Sequence, residues 1–236
     1  LVDALVSTED ERFYDHSGID GRGTLRAMMS LGTNGGASTL TQQLAKLLFH
    51  GEGSKFLPFR IIQKAKEWII AVKLERQYTK NEIIAMYFNY SDFVNTAVGI
   101  RSAANVYFGK EPRELSINES AMLVGMLKNP SLYNPIRRLE KVTNRRNTVL
   151  GQMVKNNFLE EAAKQKLEKE PIKLDFKPES HKDGIATYFR EYLREFMKNW
   201  VKDNKRPDGT DYDIYRDGLK IYTTIDSRMQ KYAEEA

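Results

Sequence analysis

Residues 36–46 read Gly36-Ala-Ser-Thr-Leu-Thr-Gln-Gln-Leu-Ala-Lys46, and this segment decides the fold. From Leu40 onward, leucines recur at i, i+4, i+7 and i+8, which is the spacing of an amphipathic helix. Ser38 stands two residues before the first leucine, where a hydroxyl can cap a helix. The segment therefore predicts a helix that buries its leucine face and has Ser38 as its N-cap.

The other side of this helix is polar and carries Ser38, Gln42 and Lys46. Their spacing of i, i+4 and i+8 keeps them on nearly the same face of the helix. An anion such as a phosphate can bind here, because the segment offers hydroxyls, amides, an ammonium group and the free N–H groups of a helix N-terminus. A capped surface helix with polar decoration explains the same residues equally well. The P-loop pattern GxxxxGK[ST] is absent, so this is not a Walker-type phosphate loop.

Helical signals continue beyond this segment. Thr79-Lys-Asn-Glu82 and Ser116-Ile-Asn-Glu119 both fit the capping box, and an apolar run follows each of them. Apolar residues from Ile62 to Val72 form a further helical stripe. We predict a mainly α fold, with one helical domain over residues 1–175.

Residues 176–236 have a different character and predict a short α/β linker segment. Apolar residues from Phe189 to Trp200 have helical spacing, whereas residues 202–213 are polar and rich in turn formers. Residues 219–225 alternate apolar and polar side chains, which predicts a half-buried strand. Because a lone strand is not stable, its partners are expected in the linker itself or outside these residues.

Composition excludes several classes of protein. Cysteine is absent, which rules out disulfide scaffolds, thiolate catalysis and iron–sulfur clusters. The 3 histidines lie far apart and form no HExxH pair, so we predict no metal site made by the protein. The longest apolar run, residues 121–127, falls far short of the roughly 20 residues needed to span a bilayer. The chain begins with Leu1 and ends inside a pattern, so we expect it to be a piece of a longer protein.

A second group of candidate residues occupies residues 9–18, Glu9-Asp-Glu-Arg-Phe-Tyr-Asp-His-Ser-Gly18. Carboxylates crowded beside apolar neighbours can act as general bases. The alternative is a solvated helix end, capped by Ser7 and Asp10. Further along, Lys64 and Glu67 share a helix face at i, i+3, which by itself indicates only a surface ion pair.

Residues 47–60 combine apolar side chains with glycines and two cations, Lys55 and Arg60. Such a loop suits an interface with anionic lipid head groups. The alternative is a loop that folds back on the core.

Taken together and in order, these segments resemble the glycosyltransferase domain of the bacterial peptidoglycan polymerases, namely the class A penicillin-binding proteins and their monofunctional relatives. The family motifs Glu-Asp-x-x-Phe-x-x-His-x-Gly and Gly-x-Ser-Thr-x-Thr-Gln-Gln-x-x-Lys are met in residues 9–18 and 36–46. The third motif, Arg-Lys-x-x-Glu, has Gln63 in place of arginine. The fourth and fifth correspond to residues 80–89 and 145–150.

The resemblance implies a lysozyme-like, two-lobed fold with a head lobe, a membrane-facing jaw lobe and a cleft between them. It implies a peptidoglycan glycosyltransferase that extends a glycan on undecaprenyl diphosphate with lipid II by inverting transfer, forming β-1,4 bonds. Glu9 is then the general base. Glu67 is a second essential carboxylate that holds Lys64 and the substrate in register.

The resemblance also implies a set of substrate-binding residues. They are Asp10, Arg26, Ser38, Thr39, Gln42, Gln43, Lys46, Lys55, Arg60 and Lys64. Lys46 is the first choice for stabilising the leaving diphosphate. Lys55 or Arg60 substitutes for a phosphate-binding arginine of the family, and the sequence does not decide between them. Asp10 is expected to be more structural than catalytic.

Partners and location follow from the same resemblance. The partners are lipid II, the growing glycan chain, the cytoplasmic membrane, the cell-wall synthesis machinery and moenomycin-type inhibitors, with no nucleic acid. No cofactor is required, and a divalent cation, Mg²⁺ or Mn²⁺, is left open at the diphosphate. The catalytic domain is expected at the outer, periplasmic face of the cytoplasmic membrane, with an anchor outside these residues. Residues 176–236 would lead to a transpeptidase domain.

Two other functions compete with this one. A muramidase or lytic transglycosylase also uses a glutamate in a lysozyme-like cleft, but it needs a general acid against the glycosidic oxygen. The polar helix of residues 36–46 favours a diphosphate ligand instead. Nucleic-acid binding would rest only on the net charge of +5, in which acids and bases are interleaved rather than gathered in one stripe.

Overall fold

The computed structural model describes residues 1–29, 38–49, 57–177, 185–214 and 217–235. These residues form α-helices, two short 3₁₀ turns and connecting loops, and within the described ranges no sheet occurs. The mainly α prediction is confirmed. In the same ranges, no helix combines the length and apolar character that crossing a bilayer requires.

The chain divides into two compact units, Leu1–Pro178 and Glu179–Ala236. The described helices of the first unit are α1 (Val2–Glu9), α2 (Gly21–Met29), α3 (Leu40–Phe49), α4 (Leu57–Gln77), α5 (Lys80–Tyr90), α6 (Ile100–Phe108), α7 (Ile117–Leu127), α8 (Leu139–Lys155) and α9 (Glu161–Lys169). Those of the second unit are α10 (Thr187–Asp203) and α11 (Ser227–Glu235). The assignment of residues 1–175 to a glycosyltransferase domain and of residues 176–236 to a linker segment remains a prediction.

The core of the first unit is built around α7. Every residue from Ser120 to Met126 is buried, because this stretch is apolar or small on all sides. Helices α1 and α8 pack against α7 and also against each other. This packing brings the C-terminal end of α1, which carries Glu9, beside α8.

Helix α3 has the leucine face that the sequence predicts. Leu40 and Leu44 are fully buried where α3 packs on α4 and α5. The predicted cap is wrong by one residue, since Thr39 and not Ser38 precedes the helix. The Thr39 hydroxyl accepts a hydrogen bond from the backbone N–H of Gln42 at 3.2 Å.

Both predicted capping boxes are present. The Thr79 side chain accepts from the Glu82 N–H, and the Glu82 carboxylate accepts from the Thr79 N–H at 2.7 Å. Ser116 and Glu119 make the same reciprocal pair at the start of α7. These local interactions fix where α5 and α7 begin.

Helix α8 is joined to α9 by a buried arginine. The Arg146 guanidinium donates to the carbonyl oxygens of Glu170 at 2.7 Å and Glu168 at 3.0 Å. Burial lowers the pKa of Arg146. Because Arg146 points toward α9, its neighbour Arg145 lies on another side of α8 and is free to face α1.

In the second unit, the predicted helix is confirmed as α10. The predicted strand is wrong: residues 219–225 form no ladder, and Ile221 and Tyr222 are exposed. The alternating pattern finds no partner strand in the described part of this unit, so there is no sheet face on which its apolar side chains could be buried.

Candidate active site

A pocket of about 360 Å³ opens where the end of α1, the start of α3 and the C-terminal part of α8 meet. Several residues that the sequence predicts for the site line this pocket. They are Glu9, Asp10, Arg26, Ser38, Thr39 and Gln43. The first two family motifs, 27 residues apart at their starts, therefore contribute to one pocket.

Glu9 is the last residue of α1, and its carboxylate is held on both sides. Gln43 Nε2 donates to Glu9 Oε2 at 3.2 Å, and Arg145 Nη2 lies 3.6 Å from Glu9 Oε1. The Glu9 side chain keeps 16% of its surface exposed, on the wall of the pocket. A carboxylate that is fixed by donors and still reaches solvent can accept a proton from a ligand.

The side-chain amide of Gln43 has a second partner besides Glu9. The Tyr87 hydroxyl on α5 lies 3.0 Å from Gln43 Oε1. Burial raises the pKa of Tyr87, and the negative charge of Glu9 raises it further. The hydroxyl therefore stays protonated at neutral pH.

Asp10 is buried and has structural partners. His16 Nε2 lies 3.1 Å from each carboxylate oxygen, and Asp10 Oδ2 accepts from the Leu40 N–H at 2.9 Å. The carboxylate thus occupies the positive end of α3. These contacts fit the structural role expected of Asp10, and its contact with substrate remains a prediction.

The same contacts correct the idea that free N–H groups at the start of α3 bind an anion. The Leu40 N–H is taken by Asp10, and the Gln42 N–H is taken by Thr39. A diphosphate near this end of the helix must therefore depend on side chains for most of its partners.

Thr39 and Gln42 are both buried. The Thr39 hydroxyl donates to the Gly18 carbonyl at 2.7 Å, and Gln42 Nε2 donates to the same oxygen at 3.3 Å. Thr39 borders the pocket, whereas Gln42 lies beneath it and holds the 9–18 segment against α3. The predicted substrate contact of Gln42 is not supported by this buried position.

Lys64 and Glu67 form the predicted ion pair on α4, at 2.9 Å. Lys64 Nζ also donates to the Ser38 hydroxyl at 2.8 Å, and Ser38 lines the pocket. Among the described residues, this hydrogen bond joins the third motif to the second. Lys64 keeps 39% of its side chain exposed and can reach a ligand.

The remaining predicted cations lie at different places. Arg26 lines the pocket, 3.7 Å from Glu11, while Lys46 and Arg60 are exposed on α3 and α4. Lys55 lies outside the described residues, so the choice between Lys55 and Arg60 stays open.

Comparison with known proteins gives the family. The sequence model of the family described as Transglycosylase matches residues 1–154. The chain belongs to the transglycosylase family. The resemblance drawn from the five motifs is thereby confirmed.

The chain is similar to several penicillin-binding proteins. It is 34% identical to Penicillin-binding protein 1A of Vibrio cholerae and 34% identical to that of Escherichia coli, covering 100% of this chain and 27% and 26% of theirs. It is also 34% identical to Penicillin-binding protein 1F of Bacillus subtilis, over 98% of this chain and 31% of the relative. The chain thus spans about a quarter to a third of the length of these relatives.

One solved structure is also similar, the crystal structure of Penicillin-Binding Protein 1A from Haemophilus influenzae. The sequence identity is 25% and the TM-score 0.41, over 82% of this chain and 24% of that chain.

The carboxylates of the transglycosylase pocket do not fit a divalent cation. Within the described ranges, no group of three His, Asp or Glu side chains is placed to hold a metal ion. Glu11 is bound by Lys155 at 3.0 Å, which lowers the pKa of Glu11, and Asp20 is paired with Arg12. Each carboxylate of the described pocket lining already has a cationic or N–H partner that a metal ion would have to displace.

The sequence does not single out several residues of the site, among them Gln152 and Lys155 in the pocket lining. Arg145 and Tyr87 are also missed, although they belong to the fifth and fourth motifs. Their motif membership was the available signal. Their contacts with Glu9 and Gln43 depend on how four helices pack, which no local spacing shows.

Proposed function

We propose that this transglycosylase polymerises lipid II into β-1,4-linked glycan strands and releases undecaprenyl diphosphate. The observation that carries the proposal is the Glu9 carboxylate, fixed by Gln43 and Arg145 and exposed on the wall of a pocket that also contains Ser38. A base, hydroxyl donors and nearby cations in one pocket suit glycosyl transfer from a diphosphate.

In the proposed reaction Glu9 is the general base. It takes the proton from the 4-hydroxyl of the acceptor GlcNAc while that oxygen attacks the anomeric carbon of the donor MurNAc. The bond from this carbon to the diphosphate breaks on the opposite face, and its electron pair leaves with the diphosphate. The α-linked donor gives a β-1,4 bond, and Glu9 ends the step protonated.

Cations and hydroxyls stabilise the leaving diphosphate, whose charge is delocalised, so a strong general acid is not needed. We assign this role to Lys64, because its amine contacts Ser38 at the pocket wall and remains partly exposed. Glu67 positions Lys64 through their ion pair. Arg26 in the pocket and Lys46 on α3 supply further positive charge.

The test is the chain's action on purified lipid II without nucleotide sugars. We expect long glycan strands, visible by gel electrophoresis, and competition by a moenomycin-type phosphoglycolipid, which mimics the donor. If lipid II is unchanged while preformed peptidoglycan is degraded, the protein is a muramidase or lytic transglycosylase instead.

We also propose that the first unit contacts the outer face of the cytoplasmic membrane, where lipid II is anchored and the cell-wall synthesis machinery works. Large apolar side chains at the end of α3 and along α4 are 43% to 65% exposed. They are Leu47, Phe49, Ile61, Ile62 and Ile69. Exposed lysines and arginines, among them Lys46 and Arg60, lie on the same two helices. Apolar side chains beside cations suit a bilayer surface with anionic head groups.

The double variant Ile61→Asp/Ile62→Asp tests this surface. We expect its partitioning onto phosphatidylglycerol-containing vesicles to fall about tenfold or more, because two exposed isoleucines of the proposed membrane-contacting surface are replaced by anions. Cosedimentation measures the partitioning. The control is Ile117→Asp, another exposed isoleucine, at the start of α7. Equal losses in both variants would contradict the proposed surface.

A further inference from the structure

Tyr87 is a buried polar residue that the proposed reaction does not use. It lies on α5, and only 4% of its surface is exposed. Its hydroxyl does not reach Glu9 directly but contacts Gln43 Oε1 at 3.0 Å. Gln43 in turn contacts Glu9 Oε2 at 3.2 Å through Nε2. Three helices, α1, α3 and α5, are thus connected by two consecutive hydrogen bonds that end on the proposed base.

The direction of each bond is fixed by chemistry. An ionised carboxylate only accepts hydrogen bonds, so the amide NH₂ of Gln43 must face Glu9. The Gln43 carbonyl oxygen then faces Tyr87, and the Tyr87 hydroxyl must donate to it. Burial raises the pKa of Tyr87, so the hydroxyl keeps the proton that this bond requires.

We propose that Tyr87 is a positioning residue, which acts through Gln43 to hold the Glu9 carboxylate in the orientation that accepts the proton. This inference rests on the proposed function, in which Glu9 is the base. The terminal torsion of a glutamine is broad and roughly two-fold, so only its partners decide which amide atom faces Glu9. Without the Tyr87 hydroxyl, the Gln43 oxygen can turn toward the carboxylate and repel it.

Arg145 completes the arrangement from the opposite side. Its guanidinium lies 3.6 Å from Glu9 Oε1, so each carboxylate oxygen has a different partner helix. Arg145 is itself held, since Nε donates to the Gly125 carbonyl at 3.4 Å and the guanidinium lies over the Tyr133 ring. Loss of the Gln43 contact therefore leaves Glu9 held from α8 alone, where the carboxylate can rotate toward Arg145.

A double-mutant cycle tests the proposal, with kcat and KM for lipid II measured on the wild-type chain, Tyr87→Phe, Gln43→Ala and the double variant. We expect Tyr87→Phe to lower kcat about 3- to 10-fold, the range of one buried hydrogen bond, with KM changed less than about twofold. In the Gln43→Ala background, Tyr87→Phe should have no further effect on kcat, because its route to Glu9 is already gone.

Tyr107→Phe is the matched control. Tyr107 is also buried, and its hydroxyl donates to the Phe93 carbonyl at 2.7 Å rather than to a residue that contacts Glu9. We expect it to lower the unfolding midpoint without changing kcat. Unfolding midpoints of all variants separate a folding defect from a catalytic one.

The outcomes are distinguishable. An unchanged kcat in Tyr87→Phe, or an equal loss in the wild-type and Gln43→Ala backgrounds, would overturn the positioning role while leaving the proposed function intact. A kcat loss in Tyr107→Phe equal to that in Tyr87→Phe would show a merely structural effect and overturn it as well. If the wild-type chain makes no glycan from lipid II, the proposed function fails, and the inference fails with it.

Discussion

We expect Glu9→Gln to lower the rate constant for the proposed polymerisation of lipid II by at least about 10²-fold, because general-base catalysis contributes roughly 10²- to 10⁴-fold. Glutamine keeps the shape of the side chain but cannot take the proton from the acceptor hydroxyl. Its amide also places an NH₂ group beside the donating amide of Gln43 or beside the cationic Arg145, where the native site has a carboxylate oxygen. The measurement is the single-turnover rate of glycan formation from lipid II, at saturating enzyme.

Glu11→Gln is the matched control, since Glu11 lines the same pocket two residues later. It bridges Lys155 and Arg26 at the edge of the pocket and is more exposed than Glu9. We expect its rate to stay within about fivefold of the wild-type value, the worth of an exposed ion pair. A Glu9→Gln rate within that same range, in a variant with an unchanged circular dichroism spectrum, would remove Glu9 from the role of base.

The parts of this fold that follow local rules could be predicted from the sequence. Leucine spacing predicts α3, and the capping boxes at Thr79 and Ser116 predict the starts of α5 and α7. The Lys64–Glu67 pair follows from i, i+3 spacing on α4. Each of these signals depends on residues within one or two helical turns, so chain folding elsewhere does not alter it.

The rest of the site depends on contacts between distant segments. Asp10 reaches the N–H of Leu40, and Arg145 reaches Glu9 across the packed helices α1 and α8. No periodicity shows such contacts, so the sequence suggested an open helix N-terminus where a buried carboxylate already sits. The strand predicted at 219–225 failed for a related reason, because alternation predicts a strand only where a partner exists.

Gly18→Ala is expected to lower the free energy of unfolding by roughly 2–5 kcal/mol, the sum of a left-handed backbone and an overpacked contact. Gly18 has φ +90°, and a Cβ at this position would lie 2.9 Å from the backbone carbon and oxygen of Ala71 on α4. Neither atom can give way without moving the helix. The measurement is urea unfolding followed by Trp68 fluorescence in a Trp200→Phe background, since Trp68 lies on the same helix.

Gly21→Ala is the control, because a Cβ there meets nothing within 4 Å. Its stability should change by less than about 1 kcal/mol. Equal stability of the two variants would refute the tight packing of Gly18 on α4.

Gly18→Ala should also slow glycan synthesis, since the Gly18 carbonyl is the acceptor shared by Thr39 and Gln42. Displacing it shifts the start of α3, and with it Gln43, the residue that holds Glu9. The glycine that ends the first motif thus fits closely against α4 and, through its carbonyl oxygen, sets the position of Gln43 beside the proposed base Glu9.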